Sequence, residues 1–307
     1  MALADRTPPT PADYKDYKRR FSNWGRWGDD DQLGTLNHIT PQRRIAAGAL
    51  VRNGTKVSLA NPLATARVAG PRRNAQPAEH RMNVGDGGCS DYIGVSYHGF
   101  VNTHIDALCH IYTEDGKLYG GRPSSDITPE GATCNSVDAW REGIVTRGVL
   151  YDVPRHRDTG YVTDDAPVHG WELEDIAREQ GVTPQGGDAV LVRMGLAAFW
   201  AANPDFEPPW LAPGLHASAL EFLYEHDAAL LGWDLMEAPG QEAYGAPALP
   251  IHSIAIPYMG LPLLDNANFD ALAEACAAAG RWEFMLTIAP LVVLGGTGSP
   301  VNPIAVM

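Results

Sequence analysis

Short apolar runs and stretches of helical spacing alternate along this chain, and they predict strands and helices interspersed through one fold. Residues 144–153, 188–193 and 228–233 are apolar runs of strand length, suited to a buried sheet. Residues 56–60 suit a short strand. Residues 287–294 read as the last core strand: the apolar part is too short to cross a bilayer and closes with Gly-Gly. Thr40-Pro41 looks like a helix start, with Thr as the N-cap and Pro at the first helical position. That helix would run to about Val51, with Gly54 beyond it. Helical stretches follow at 172–179, 195–203 and 215–227, and residues 269–280 form an alanine-rich helix closed by Gly280.

The unpatterned stretches carry information too. Residues 1–20 are polar and hold three prolines, which predicts an arm that packs on the body or on a partner. Residues 66–90 are rich in Gly, Pro, Arg and Asn and predict a long excursion, functional or interfacial. No internal repeat or linker divides the rest, so 21–307 reads as one domain. Interspersed strands and helices favour an α/β or α+β domain over a sandwich.

Composition narrows the function. The chain has 307 residues, 45% hydrophobic and 20% charged, as in soluble globular proteins. A net charge of −14 argues against a nucleic-acid binder, which needs a basic face. It also gives no attraction to an anionic membrane. Four cysteines (Cys89, Cys109, Cys134 and Cys276) form no C-x-x-C pair, which excludes a zinc ribbon and fits a reducing, cytoplasmic setting. The N-terminus has no apolar signal core.

The chemistry concentrates at Thr103-His104-Ile105-Asp106-Ala107-Leu108-Cys109-His110. If 103–107 is extended, His104 and Asp106 point to one face and can converge on a cation. A turn would bring His110 back, and His98 lies six residues upstream. Nitrogen and oxygen donors together suit Zn²⁺ or Mn²⁺. The apolar Ile105, Ala107 and Leu108 imply burial, where polar groups need partners. The competing reading is a His–Asp pair that satisfies itself. His252 and Asp265 form a second patch, as ligands or as a core histidine and a helix cap. No Gly-x-Ser-x-Gly elbow is present, and Gly295-Gly296-Thr297-Gly298-Ser299 opens no helix, so it reads as a tight turn.

The central run resembles the cyclase family of metal-dependent hydrolases, the family of kynurenine formamidase and isatin hydrolase. Its signature approximates His-x-Gly-Thr-His-x-Asp-x-Pro-x-His, matched here by Thr103, His104, Asp106 and His110. Phe100 stands where many members place a metal-binding histidine, and Leu108 replaces the proline. The stretch 97–103 is similar instead to a longer branch of the family, in which a His-Gly pair precedes Thr-His. Residues 23–28, 33–37, 119–123, 148–153 and Gly232-Trp233-Asp234 also resemble that branch. His252 and Asp265 fall where the family has a later His and a Glu.

The resemblance implies a single domain of the swivelling β/β/α type, a mixed sheet with flanking helices. It implies hydrolysis of an amide or lactone bond in a small cyclic or aromatic substrate. His98, His104, Asp106, His252 and Asp265 would hold Zn²⁺ or Mn²⁺, which lowers a water's pKa to about 7. His110 would serve as general base and then acid. Trp24, Trp27, Tyr119 and Trp233 are candidates to line the substrate pocket. A homodimer or homotetramer is implied as well. Two other functions compete: a ring-forming cyclase or dehydratase on the same metal, and a non-catalytic binding protein. Substrate assays separate the first, and metal analysis the second.

Overall fold

A computed structural model describes residues 2–65, 77–206, 212–245 and 249–307. The N-terminal segment packs on the body of the fold. It forms α1 (Ala2–Asp5) and α2 (Pro11–Arg20), the latter opened by a reciprocal capping box between Thr10 and Asp13. Tyr14, Tyr17 and Phe21 are buried in the main core. The Tyr17 hydroxyl donates to Glu221 Oε1 at 2.7 Å and the Tyr14 hydroxyl to the Pro250 carbonyl at 2.7 Å. The helix expected from Thr40 is α3 (Pro41–Gly48), with Thr40 Oγ1 accepting from the Arg43 amide.

The strands β1 (Lys56–Ser58), β2 (Glu79–Gly85), β3 (Gly88–Gly94) and β4 (His104–Asp106) come next, then a two-residue pair, β5 (Ile127–Thr128) and β6 (Gly131–Ala132). The central alternation is β7 (Ile144–Asp152), α4 (Val153–Arg157), α5 (Gly170–Glu179), β8 (Ala189–Arg193), α6 (Leu196–Ala202), α7 (Ala219–Glu225) and β9 (Leu230–Trp233). The chain closes with α8 (His252–Ile254), β10 (Leu263–Asp265), α9 (Asp270–Ala279), β11 (Glu283–Ile288), β12 (Gly298–Pro300) and β13 (Ile304–Val306).

Nine strands make one mixed sheet in the order β1-β13-β11-β7-β8-β9-β10-β4-β12. The pairs from β7 to β10 are parallel and the others antiparallel. This is the mixed α/β sheet with flanking helices that the sequence led to. Alternation along the strands divides the core between two faces. Val149, Tyr151, Val190, Val192, Leu231 and Trp233 face α2, α5 and α7; Leu150, Leu191, Leu230 and Leu264 face α9. No described helix is long and apolar enough to cross a membrane.

Two expectations change. The last apolar run is not a core strand. β11 lies earlier, its ladder stops at Ile288, and Leu291, Val292, Val293 and Leu294 are exposed. Pro290 has no N–H to continue the ladder, so the chain leaves the sheet there. Within 66–90, residues 66–76 lie outside the described residues. Residues 79–90 are not a shapeless excursion but most of the β2–β3 hairpin, closed through Asp86-Gly87.

Candidate metal centre

Register builds the centre. β4 pairs with β10 so that His104 faces Asp265 and Asp106 faces Leu263. Partners in an antiparallel pair share a face, so His104, Asp106 and Asp265 all project from one side. Ile105 projects from the other side into the core. On the far edge of β4, Gly298 of β12 pairs with Asp106. A side chain there would meet the Ile105 carbonyl at 2.5 Å and His98 Cε1 at 3.0 Å. The glycine thus leaves room for the His98 ring above the strand.

His98 arrives on a loop held by neighbours of the centre. Asn266, just after Asp265, donates to the carbonyls of Gly99 and Asn102, and its own carbonyl accepts from Thr103 Oγ1. His110 returns through the predicted turn, with its amide bonded to the Ala107 carbonyl.

Each carboxylate oxygen of Asp106 faces two imidazole nitrogens. Oδ1 lies 2.9 Å from His98 Nδ1 and 3.4 Å from His104 Nε2. Oδ2 lies 3.7 Å from His252 Nε2 and 3.8 Å from His110 Nε2. Both oxygens are buried and make no well-formed hydrogen bond. Asp265 Oδ2 sits 3.3 Å from His252 Nε2 and 3.9 Å from His104 Nε2. Two triads with converging donor atoms, His98–Asp106–His110 and His104–Asp106–Asp265, share Asp106.

Outer bonds set the tautomers. His104 Nδ1 donates to the Asn102 carbonyl at 2.8 Å, and His252 Nδ1 donates to Glu237 Oε1 at 2.6 Å. In both rings Nε2 is then the nitrogen left to face the centre. His98 has its other nitrogen 3.0 Å from Thr297 Oγ1 and stacks on His110 with ring centres 3.8 Å apart.

Electrostatics mark the centre as short of positive charge. Burial would push His252 down, but Glu237 and Asp265 outweigh it and hold the ring well above its ordinary range. Burial opposes His104 likewise, and Asp106 and Asp265 raise it on balance. For Asp106, burial would raise the carboxyl, yet His110, His104 and His98 hold it well below the ordinary range. His110 differs: burial lowers it to about 4, against the pull of Asp106. The donor set of imidazole and carboxylate, the unpartnered Asp106 oxygens and the raised histidines all fit a divalent cation such as Zn²⁺ or Mn²⁺.

The sequence reading requires several corrections here. Asp265 is not a helix cap: α9 starts five residues later, where Asn268 Oδ1 accepts the Asp270 amide. His252 is bonded to two carboxylates rather than to backbone carbonyls. Trp233 lines no open pocket. It is fully buried, and its indole N–H donates to Asp265 Oδ1 at 2.6 Å. Tyr119 is also buried, packed under Gly260 with its hydroxyl bonded to Asp31. Trp27 stands against His38 with Arg26 over its face. Trp24 stacks on Tyr258.

A cavity of about 170 Å³ is lined by Tyr14, Lys18, Tyr112, Glu114, Tyr244 and Tyr258. Glu237 was missed entirely. Its only sequence signal is an acid within Leu235-Met236-Glu237-Ala238, just after a buried strand.

The fold and the cluster together define a mixed α/β protein with a buried histidine–carboxylate centre. The Cyclase family model, described as "Putative cyclase", matches residues 36–238, and the chain belongs to that family. The crystal structure of a novel cyclase is similar over 94% of this chain and 99% of its own, at 29% identity and TM-score 0.83. Isatin hydrolase A from Labrenzia aggregata, bound to benzyl benzoate, is similar at 21% identity over 87% of this chain and 98% of its own, TM-score 0.59. Isatin hydrolase A from Ralstonia solanacearum is similar at 23% identity over 87% and 97%, TM-score 0.58. No match was found among curated proteins.

Proposed function

We propose that the chain is a metal-dependent hydrolase that opens an amide or lactone bond in a small cyclic or aromatic substrate. One observation carries this reading: Asp106 is buried, its oxygens lack well-formed hydrogen bonds, and four imidazoles and Asp265 converge around it. The likeness of the fold to isatin hydrolases supports the substrate class.

In this reading His98, His104, Asp106, His252 and Asp265 hold a Zn²⁺ or Mn²⁺ ion. A bound ion of this kind supplies Lewis acidity and makes hydroxide available near neutral pH. Glu237 and the Asn102 carbonyl keep His252 and His104 turned inward, and the Trp233 indole steadies Asp265. His110 is the proton carrier. With its pKa near 4, it is unprotonated at neutral pH and ready to accept a proton from attacking water. It then returns the proton to the leaving nitrogen or oxygen. The cavity lined by Tyr14, Tyr112, Tyr244 and Tyr258, with Lys18 and Glu114 at its wall, suits an aromatic ring that carries a polar group.

The test is elemental analysis of the purified chain, then assay of Zn- and Mn-loaded protein on cyclic amides, lactones and N-formyl aromatics. A stoichiometric metal with ring opening supports the reading. A chain that takes up neither metal refutes it. Ring closure or dehydration without hydrolysis would instead establish the cyclase chemistry.

A further inference from the structure

Helix α2 does more than close the core. Its Tyr14 and Lys18 stand four residues apart, so they share one helical face. Both line the cavity of about 170 Å³. A cavity of about 150 Å³ is enough to hold a benzene ring. This one therefore takes a six-membered ring with a small substituent. Its walls present rings rather than hydroxyls. The Tyr14 hydroxyl donates to the Pro250 carbonyl and the Tyr244 hydroxyl to the Pro9 carbonyl, each at 2.7 Å. Those two rings stack with centres 4.8 Å apart, and Tyr258 lies against Trp24. Offset and edge contacts of this kind favour an aromatic guest.

Among the described residues that line the cavity, Lys18 is the one cation and Glu114 the one anion. They pair at 2.7 Å, but unequally: the Lys18 side chain is 24% exposed and that of Glu114 74%. Lys18 is fixed, because Tyr14 and Tyr17 bury the same helix in the core. Glu114 is not fixed. It sits on a turn held without it, by the Gly116 amide on the Thr113 carbonyl and the Thr113 hydroxyl on Asp115. An ion pair with so exposed a partner contributes little. Glu114 can therefore swing into solvent and leave Lys18 at the cavity wall. A partly buried ammonium then needs another anion. In a chain of net charge −14, an anionic ligand in turn needs such a local cation.

We propose that this cavity binds an aromatic carboxylate, its ring among the tyrosines and its carboxylate on Lys18, where it replaces Glu114. Lys18 is then the residue that selects the ligand. Glu114 is an internal competitor that neutralises Lys18 when the cavity is empty. That the ligand is the hydrolase's substrate rests on the function proposed above, whereas its binding does not.

The test is titration of the full chain at neutral pH with benzoate, benzyl alcohol and benzylamine, followed by calorimetry or ligand-observed NMR. The three share a ring and a one-carbon arm, differ in charge and have no hydrolysable bond. Benzoate should bind about 10-fold tighter than benzyl alcohol, the gain of a charge-assisted hydrogen bond. Lys18→Gln should erase that preference, and Lys18→Arg should keep it. Glu114→Gln should tighten benzoate several-fold. Lys15→Gln makes an equal charge change at an exposed position of α2 and should leave the preference as it is. Circular dichroism checks that each variant folds. Benzylamine bound most tightly would make Glu114 the selecting charge and overturns the proposal. So does a benzoate preference that survives Lys18→Gln, which would put the anion elsewhere. Failure of all three to bind overturns it too. Hydrolysis is a separate result. A chain that binds benzoate through Lys18 but opens no amide or lactone refutes the proposed function and leaves this site standing. One that opens neutral rings and ignores benzoate does the reverse.

Discussion

Two clusters of histidines among the described residues differ in the acids that face them. In the first, four imidazoles surround Asp106 and Asp265, and carboxylates raise His104 and His252 above their ordinary range. In the second, His169 and His216 lie with ring centres 4.5 Å apart, sharing the Ser218 hydroxyl at 3.1 and 3.2 Å. Tyr244 and Trp171 complete that group. Burial, unopposed by any carboxylate, pushes both rings down to about 4. Burial pushes the rings down in both groups, and only the first has carboxylates to oppose it. The acids decide whether a histidine cluster attracts a cation or stays neutral as packing.

Removing the central acid should break the contrast most completely. Asp106→Asn is expected to abolish stoichiometric metal and the turnover that depends on it, because both triads lose their shared ligand. His216→Gln, in the other cluster, should leave both unchanged. Metal analysis of the two purified variants checks this, and metal retained by Asp106→Asn would count against the proposed centre. His110→Ala comes next. It should lower turnover by about 10²–10⁴-fold while metal stays bound. Loss of metal instead would make His110 a ligand, a role its position in the His98–Asp106–His110 triad also permits. Glu237→Gln is gentler: metal affinity should weaken by about 10–100-fold, read by competition with a chelator, because His252 loses the anion that orients it.

The ligand cluster was legible in the sequence where its geometry is local. A His and an Asp two residues apart in an extended run must share a face, and the apolar Ile105 between them must face the core. The turn to His110 was equally local. Glu237 was not legible, because its partner His252 lies fifteen residues on and the two meet only after the intervening chain folds back. Trp233 and Asp265 suffered likewise. Each had an ordinary local reading, as pocket wall and helix cap, until parallel pairing of β9 with β10 brought the indole to the carboxylate. The run after Ile288 misled for the opposite reason. Its residues look like a core strand, and only Pro290 signals that the ladder ends.

The smallest expected effect tests the second cluster on its own terms. His169 and His216 stay neutral in the folded chain down to about pH 4, but in the unfolded chain they take up protons near pH 6.5. Between those values the unfolded state binds more protons, so this cluster's contribution to stability falls as pH drops from 6.5 towards 4. Among the described residues, Ser218, Tyr244 and Trp171 contact the two rings, and no carboxylate is bonded to either. His216→Gln removes one of the two protonations. Its melting temperature should therefore fall less steeply than that of the wild type across the window, with the curves diverging most near pH 4. Parallel curves would mean that His216 takes up its proton alike in the folded and unfolded chain, and the contrast between the two clusters would then rest on geometry alone.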